Sequence, residues 1–285
     1  MDKILSGLAK FGLDEKLVNS LFEEESPKGG QGTTEKVVEP PKEVDFLLLK
    51  SMTCPICDAN FKSPVIKTGR IRRKEPDMDL RPRFEWIDVN KYDVVSCPKC
   101  GYTALNRYFG HLAPVQVKMI REGVLSQFKT MPSKEIIALE TVDYDTAIDL
   151  YKVALCVAMV KKCKLSEKSY ICLKLAWLLR GKIEELSVDA VRNKVKIDIC
   201  QNEYNIFYEH AFEGFTKAIS SEAYPMAGMD QHTMDLLIVA MAYNLGKYDY
   251  AARFVAELIV GKNVPTNIKK RAYDLKEMIV EKLKK

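Results

Sequence analysis

The pattern of apolar and polar positions divides the chain into four parts. Residues 1–24 space their apolar side chains as short amphipathic helices do. Residues 25–45 are rich in Glu, Pro, Gly and Lys and are predicted to be a flexible linker, because they carry too few large apolar residues to order themselves. Short strand-like runs separated by Pro and Gly predict a small β-rich domain over 46–112, and a helical period over 113–285 predicts an all-α domain. The chain is therefore predicted to be an α+β protein.

The helical part repeats one packing pattern that resembles the second helix of a tetratricopeptide repeat. In each copy, small alanines let neighbouring helices approach closely, and a larger residue between them fills the groove. The predicted packing residues, including the glycine of one interhelical turn, are Ala147, Tyr151, Ala154, Ala211, Phe215, Ala218, Gly246 and Ala251. Arrays of this kind present a concave surface, so the pattern predicts a groove for a protein or peptide partner.

Composition narrows the class of protein. The chain has 285 residues, of which 47% are hydrophobic, enough for an ordinary globular core. No run of about 20 apolar residues predicts a membrane span, and the first residues do not have the pattern of an export signal. A cytoplasmic location is therefore expected, where the eight cysteines would be reduced thiols or metal ligands rather than disulfides.

Four of the cysteines form two C-P-x-C pairs, Cys54 with Cys57 and Cys97 with Cys100. A gap of two residues lets both sulfurs of a pair face one ion, and four thiolates make a closed tetrahedral site that suits one structural Zn²⁺. Iron, as in the compact rubredoxins, is the alternative, because tetrahedral sulfur does not by itself separate the two metals. The long insert between the pairs departs from the rubredoxin pattern and favours a zinc ribbon.

Catalysis is not predicted. Four thiolates leave zinc no open position for water or substrate. The sequence has no glycine-rich phosphate loop and no convincing nucleophilic triad, and its three histidines lack matching partners. The unpaired cysteines, Cys156, Cys163, Cys172 and Cys200, are expected to be small apolar core residues of the helices.

The insert between the cysteine pairs is basic. It mixes cations with aromatic residues, as surfaces that contact phosphates and stack bases do. The residues predicted to contact nucleic acid are Arg70, Arg72, Arg73, Lys74, Arg81 and Trp86. The competing interpretation is a hairpin with a solvated charged face and with its aromatic side chains against the ribbon.

The chain resembles an uncharacterised bacterial family, the domain of unknown function 2225. The resemblance rests on Thr53–Cys57, the turn at 77–82, the segment 92–102 and Arg107–Phe109, and it extends into the helical tail. It implies a ribbon with helical repeats and carries over the four paired cysteines as metal ligands, without an assigned activity. The leading hypothesis is a non-catalytic zinc-binding adaptor with a protein partner. A nucleic-acid-binding ribbon is the second hypothesis, and an iron redox protein is the third.

Overall fold

The computed structural model of the protein describes residues 40–110 and 112–284. The predicted helical segment 1–24 and the linker residues 25–39 lie outside the described residues. The segment Pro41–Lys285 forms one compact unit. At the end of the predicted linker, Glu43–Phe46 form a 3₁₀ turn. The Glu43 carboxylate accepts a hydrogen bond of 2.8 Å from the Tyr92 hydroxyl, so this turn is fastened to the folded part.

Among the described residues, the strands form three separate two-stranded antiparallel hairpins, β1–β2, β3–β4 and β5–β6. The strands are β1 (Leu47–Thr53), β2 (Asn60–Ile66), β3 (Arg73–Lys74), β4 (Arg83–Phe84), β5 (Val94–Ser96) and β6 (Thr103–Leu105). In the first hairpin Thr53 pairs with Asn60, and in the third Ser96 pairs with Thr103. Each of these two registers leaves a six-residue connection that carries one cysteine pair.

Most of the described residues after β6 are helical. The helices are α1 (Asn106–Phe109), α2 (Pro114–Gly123), α3 (Tyr144–Val160), α4 (Leu165–Leu186), α5 (Ala190–Ala218), α6 (Gln231–Asn244), α7 (Tyr248–Val260) and α8 (Thr266–Leu283). Aspartates cap the N-termini of several helices: Asp143 accepts from the Thr146 amide at 2.7 Å, and Asp230 accepts from the Thr233 amide at 2.8 Å. Within the described part of the chain, no helix is both long and apolar enough to cross a bilayer.

The predicted α+β class is confirmed. The hairpins and helices share a core, since Phe61 of β2 and Val95 of β5 pack in one apolar cluster with Ile120 of α2 and Val157 of α3. This cluster spans residue 112, where the sequence suggested a change of domain. Burial on both sides of that position fastens the cysteine-bearing hairpins to the helices.

The predicted helix-packing residues lie inside the helical region. Those in α3, α5 and α7 are at most 1% exposed: Ala147, Tyr151, Ala154, Ala211, Phe215, Ala218 and Ala251. Gly246 lies between α6 and α7 with φ at 72°, a conformation that favours glycine. Helices α4 and α5, of 22 and 29 residues, account for the wide sequence spacing between Ala147 and Ala211. Kinship with tetratricopeptide repeats stays a prediction.

Candidate metal centre

The two cysteine pairs occupy equivalent turns at the tips of the first and third hairpins. In the first turn, the Cys54 amide donates to the Ala59 carbonyl at 3.0 Å, and the Asp58 amide donates to the Cys54 carbonyl at 3.0 Å. In the third hairpin, the Cys97 amide donates to Tyr102 and the Gly101 amide donates to Cys97, at 2.8 and 2.9 Å. The same local folding therefore turns both pairs of sulfurs toward one point.

The four sulfurs fit a tetrahedral metal site. All four Sγ atoms lie within 4.8 Å of one another. The Cys54 and Cys100 sulfurs are 3.6 Å apart, and the Cys57 and Cys97 sulfurs are 3.7 Å apart. A tetrahedron with Zn–S bonds of about 2.3 Å has sulfurs about 3.8 Å apart. Cys54, Cys57, Cys97 and Cys100 are thus placed to hold one metal ion, and their geometry suits zinc and iron alike.

The thiols also have the electrostatics of a cation site. The hydrogen bond with the Cys100 sulfur, acting against burial, lowers the pKa of Cys54 to about 5. The same hydrogen bond, together with burial, raises the pKa of Cys100. Burial also raises the pKa of Cys97. These pKa shifts favour a thiolate at Cys54 and protonated thiols at Cys97 and Cys100, whose protons a bound metal ion would displace.

The surroundings close the site on its inner side. Cys54 and Cys97 are fully buried, and their cluster includes Ile56, Tyr102 and Phe109. The Arg121 guanidinium of α2 donates to the Ile56 carbonyl, which lies between the first two cysteines. An ion held here would join two hairpins and, through α2, the start of the helical region.

The other four cysteines lie apart from this cluster. All eight cysteines are among the described residues, and none forms a disulfide. Cys172 and Cys200 are buried and Cys163 is half-buried, whereas Cys156 is exposed on α3. The expectation that all four belong to the core is therefore wrong for Cys156. Its position in a helical apolar run does not reveal which side of the helix it occupies.

The basic insert divides into an exposed part and a buried part. Arg70, Arg72, Arg73, Lys74 and Trp86 are all exposed. Arg81, which the sequence grouped with them, is only 2% exposed and has its guanidinium inside the protein. Arg81 is therefore removed from the candidate nucleic-acid surface.

Arg81 belongs to a partly buried ionic network that joins the insert to α4. Its Nη2 lies 3.0 Å from Asp88, and its Nη1 lies 3.0 Å from Glu184. Arg83 contacts the same Glu184 carboxylate at 2.6 Å. Burial opposes ionisation of Glu184, but the hydrogen bond from Arg83 and the charges of Arg81 and Arg83 outweigh it and hold the pKa of Glu184 below its usual value.

A second set of contacts extends the network along α4. The fully buried Asp79 carboxylate lies 2.5 Å from Arg180 Nη2 and accepts a hydrogen bond of 3.2 Å from Trp177 Nε1. Asp77 lies 3.1 Å from Arg180 and 2.7 Å from Arg83. The turn at 77–82 therefore joins the insert to the helices through the buried side chains of Asp79 and Arg81.

Comparison with known proteins places the chain in a family. A family model described as an uncharacterized protein conserved in bacteria (DUF2225) matches residues 47–279. No curated protein and no solved structure gives a match. The matched region includes both cysteine hairpins, the ionic network and nearly all of the helical region. The chain therefore belongs to the DUF2225 family of bacterial proteins.

Proposed function

We propose that the protein is a non-catalytic, zinc-bound scaffold of the cytoplasm that binds a helix of a partner protein. Zinc would be held by the four hairpin cysteines and would supply structural cross-linking there. Four thiolates complete its tetrahedral shell, which supports a folding role rather than hydrolysis. The free state of all eight cysteines supports a reducing compartment.

The observation that carries the partner proposal is an exposed apolar face on residues 190–206 of α5 and on the turn before it. This α5 stripe consists of five β-branched residues, each more than half exposed: Val188, Val191, Val195, Ile199 and Ile206. Their spacing places them along one side of the helix over about 27 Å, at about 1.5 Å per residue. The opposite side carries buried residues such as Cys200 and Tyr208. The stripe therefore faces away from the core.

The charges beside the stripe indicate the kind of partner that fits it. Arg192 and Lys196 are exposed, and their four-residue spacing puts them along the same edge of the stripe. We infer that the occupant is an amphipathic helix of another protein, with apolar residues at matching helical spacing and with acidic residues along one edge. Such a helix would cover the apolar side chains and pair with both cations.

The proposal is tested with the full chain and two matched variants. Val195→Asp places a charge in the stripe, whereas Val260→Asp makes the same change at an exposed valine of α7. Proteins cross-linked to the wild-type chain in cell extract are identified, purified and titrated calorimetrically against all three chains. We expect a partner whose binding weakens at least tenfold with Val195→Asp and is unchanged with Val260→Asp, because a buried unpaired carboxylate is costly.

Two results would overturn this assignment. One is a captured protein that binds the Val195→Asp chain as tightly as the wild type. The other is sedimentation of the purified wild-type chain as a dimer that Val195→Asp dissociates, since a second copy would then occupy the stripe. Circular dichroism of the variants establishes that both remain folded.

A further inference from the structure

The exposed part of the insert carries cations that the fold does not use. Arg70, Arg72, Arg73 and Lys74 are exposed, and none of them is ion-paired within the part of the chain that the structure describes. Arg83 of the same insert, by contrast, contacts two carboxylates. Four unpaired cations within five residues make a concentrated positive field at the surface, which the adjacent exposed Glu75 only partly offsets.

A tryptophan lies beside these cations in a strained conformation. Trp86 is 57% exposed and has a φ of 64°, in the left-handed region that costs free energy for any residue with a Cβ atom. The Glu85 amide donates to the Arg72 carbonyl at 3.0 Å, so Glu85 lies opposite Arg72 in the β3–β4 hairpin and Trp86 follows one residue beyond it. The indole is therefore offered to solvent next to the basic strand.

This arrangement differs from the solvated-hairpin interpretation in one decisive respect. That interpretation places the aromatic side chains of the insert against the ribbon, and Tyr92 is indeed buried. Trp86 is on the outside instead. An exposed indole beside unpaired guanidinium groups can stack on a planar base while the cations contact flanking phosphates.

We propose that Arg70, Arg72, Arg73, Lys74 and Trp86 form a binding surface for single-stranded nucleic acid. The arginines and the lysine contact phosphates, and Trp86 stacks on one base. A single strand fits better than a duplex, because the bases of a duplex are already stacked on one another and leave no face for the indole. This inference goes beyond the proposed scaffold function, and its surface shares no residue with the α5 stripe.

The two tryptophans of the chain make the experiment selective. Trp177 is buried and bonded to Asp79, so a change in tryptophan fluorescence on adding a ligand reports chiefly on Trp86. The full metal-bound chain is titrated with 12-residue oligo(dT), oligo(U) and a 12-base-pair duplex at 50 and 200 mM salt. We expect both single strands to quench the fluorescence, with affinity falling roughly fiftyfold between the two salt concentrations for four phosphate contacts.

Variants separate stacking from charge. Trp86→Ala is expected to weaken binding of the single strands about tenfold without changing its salt dependence. Arg72→Gln with Arg73→Gln should weaken binding and reduce the salt dependence by about two phosphate contacts. Lys194→Gln with Lys262→Gln removes the same charge from exposed positions outside the insert and should leave binding intact.

The proposal is overturned if neither single strand changes the fluorescence at 50 mM salt. It is also overturned if the Lys194 and Lys262 pair matters as much as the Arg72 and Arg73 pair, because binding would then follow net charge alone. Equal binding of inorganic polyphosphate, unaffected by Trp86→Ala, would remove the stacking role and with it the assignment. A difference between oligo(dT) and oligo(U) decides between DNA and RNA.

Discussion

Asp58 and Gly101 occupy the same position in the two cysteine turns, each following the second cysteine with a left-handed backbone, at φ of 57° and 77°. Both amides donate to the carbonyl of the first cysteine of their pair. At Gly101 the Phe128 ring also approaches so closely that a Cβ atom would lie 2.7 Å from it. Glycine is therefore required at 101 for two reasons, conformation and space.

Three glycine-to-alanine variants separate those reasons. Gly101→Ala is expected to lower the free energy of unfolding by about 3 kcal/mol, through backbone strain and overpacking against Phe128. Gly246→Ala has the strain alone, since no atom lies within 4 Å of its added Cβ, and should cost about 1 kcal/mol. Gly69→Ala has neither and should be near neutral. Urea unfolding measures all three, and equal losses for Gly101→Ala and Gly246→Ala would contradict the role of Phe128.

Metal content tests the centre directly. We expect one metal ion per chain in protein purified without added metal, because the four sulfurs match a tetrahedral site. We expect that ion to be zinc, because the long insert between the cysteine pairs departs from the rubredoxin pattern. Cys97→Ser should lose most of the metal and lower the stability of the chain, whereas Cys156→Ser, at an exposed cysteine outside the cluster, should retain both. Elemental analysis and absorbance provide the measurement. Coloured protein containing iron would redirect the account toward electron transfer, and metal-free wild type would refute the site.

The ionic network predicts a pH dependence. The folded pKa of Glu184 is depressed, so its stabilising contribution is complete above the unfolded value of about 4.3 and is lost as pH falls through the lower folded value. Glu184→Gln should therefore reduce stability by about 1 kcal/mol at pH 7, a modest figure because the side chain is 43% exposed and screened by solvent. The deficit should shrink below pH 4.

Unfolding by urea between pH 7 and pH 3 checks this expectation. The difference between wild type and variant isolates Glu184, because acid loss of the metal affects both chains equally. Glu185→Gln, at the exposed neighbouring position, is the control and should follow the wild type. A deficit of constant size at every pH would show that Glu184 acts by packing rather than by charge.

Lys174 provides a test of the contact between α4 and the hairpins. It is buried, and its Nζ lies 2.6 Å from Asp93 and 3.4 Å from the Asn90 side-chain oxygen. Lys174→Met keeps the length of the side chain but leaves Asp93 without its cation, and should lower the free energy of unfolding by about 2 kcal/mol. Adding Asp93→Asn should restore part of that loss. A double variant less stable than Lys174→Met alone would refute the pairing, as measured by urea unfolding.

The metal centre could be predicted from the sequence because its determinants are local. Each C-P-x-C pair forms a turn through hydrogen bonds between nearby residues, and two such turns form a four-sulfur site once the fold brings them together. The hairpin register of β5 and β6 follows equally from nearby residues. The left-handed backbone that Asp58 shares with Gly101 could not be predicted, since aspartate does not favour this conformation as glycine does.

Which arginines of the insert are buried and which are exposed could not be predicted from the sequence. Arg81 and Arg83 lie two residues apart, on either side of Pro82, and nothing in the neighbouring sequence distinguishes them. Burial of Arg81 depends on Glu184, which is 103 residues away and is placed by the packing of α4. Only long-range contacts decide which cations remain outside, and single-sequence patterns do not contain them.

The α5 stripe was missed for a related reason. Periodicity over 188–206 is visible in the sequence, but an apolar stripe normally indicates the face that packs on the core. Here the neighbouring helix α4 meets the other side of α5, where Cys200 and Tyr208 are buried. The period of a helix can be predicted locally, whereas the direction in which its faces point is set by the whole fold.

Arg271 of α8 donates a hydrogen bond of 2.6 Å to the Asp77 carbonyl, a residue that precedes it by 194 positions. Ribosomes add about 5–20 residues per second, so the turn at Asp77 emerges roughly 10–40 s before its last support is made. The metal ligands Cys97 and Cys100 and the partners on α4 are synthesised during that interval, and Arg271 follows only after them. The β3–β4 hairpin, which carries the unpaired cations, thus gains its contact with Arg271 long after its own residues have been synthesised.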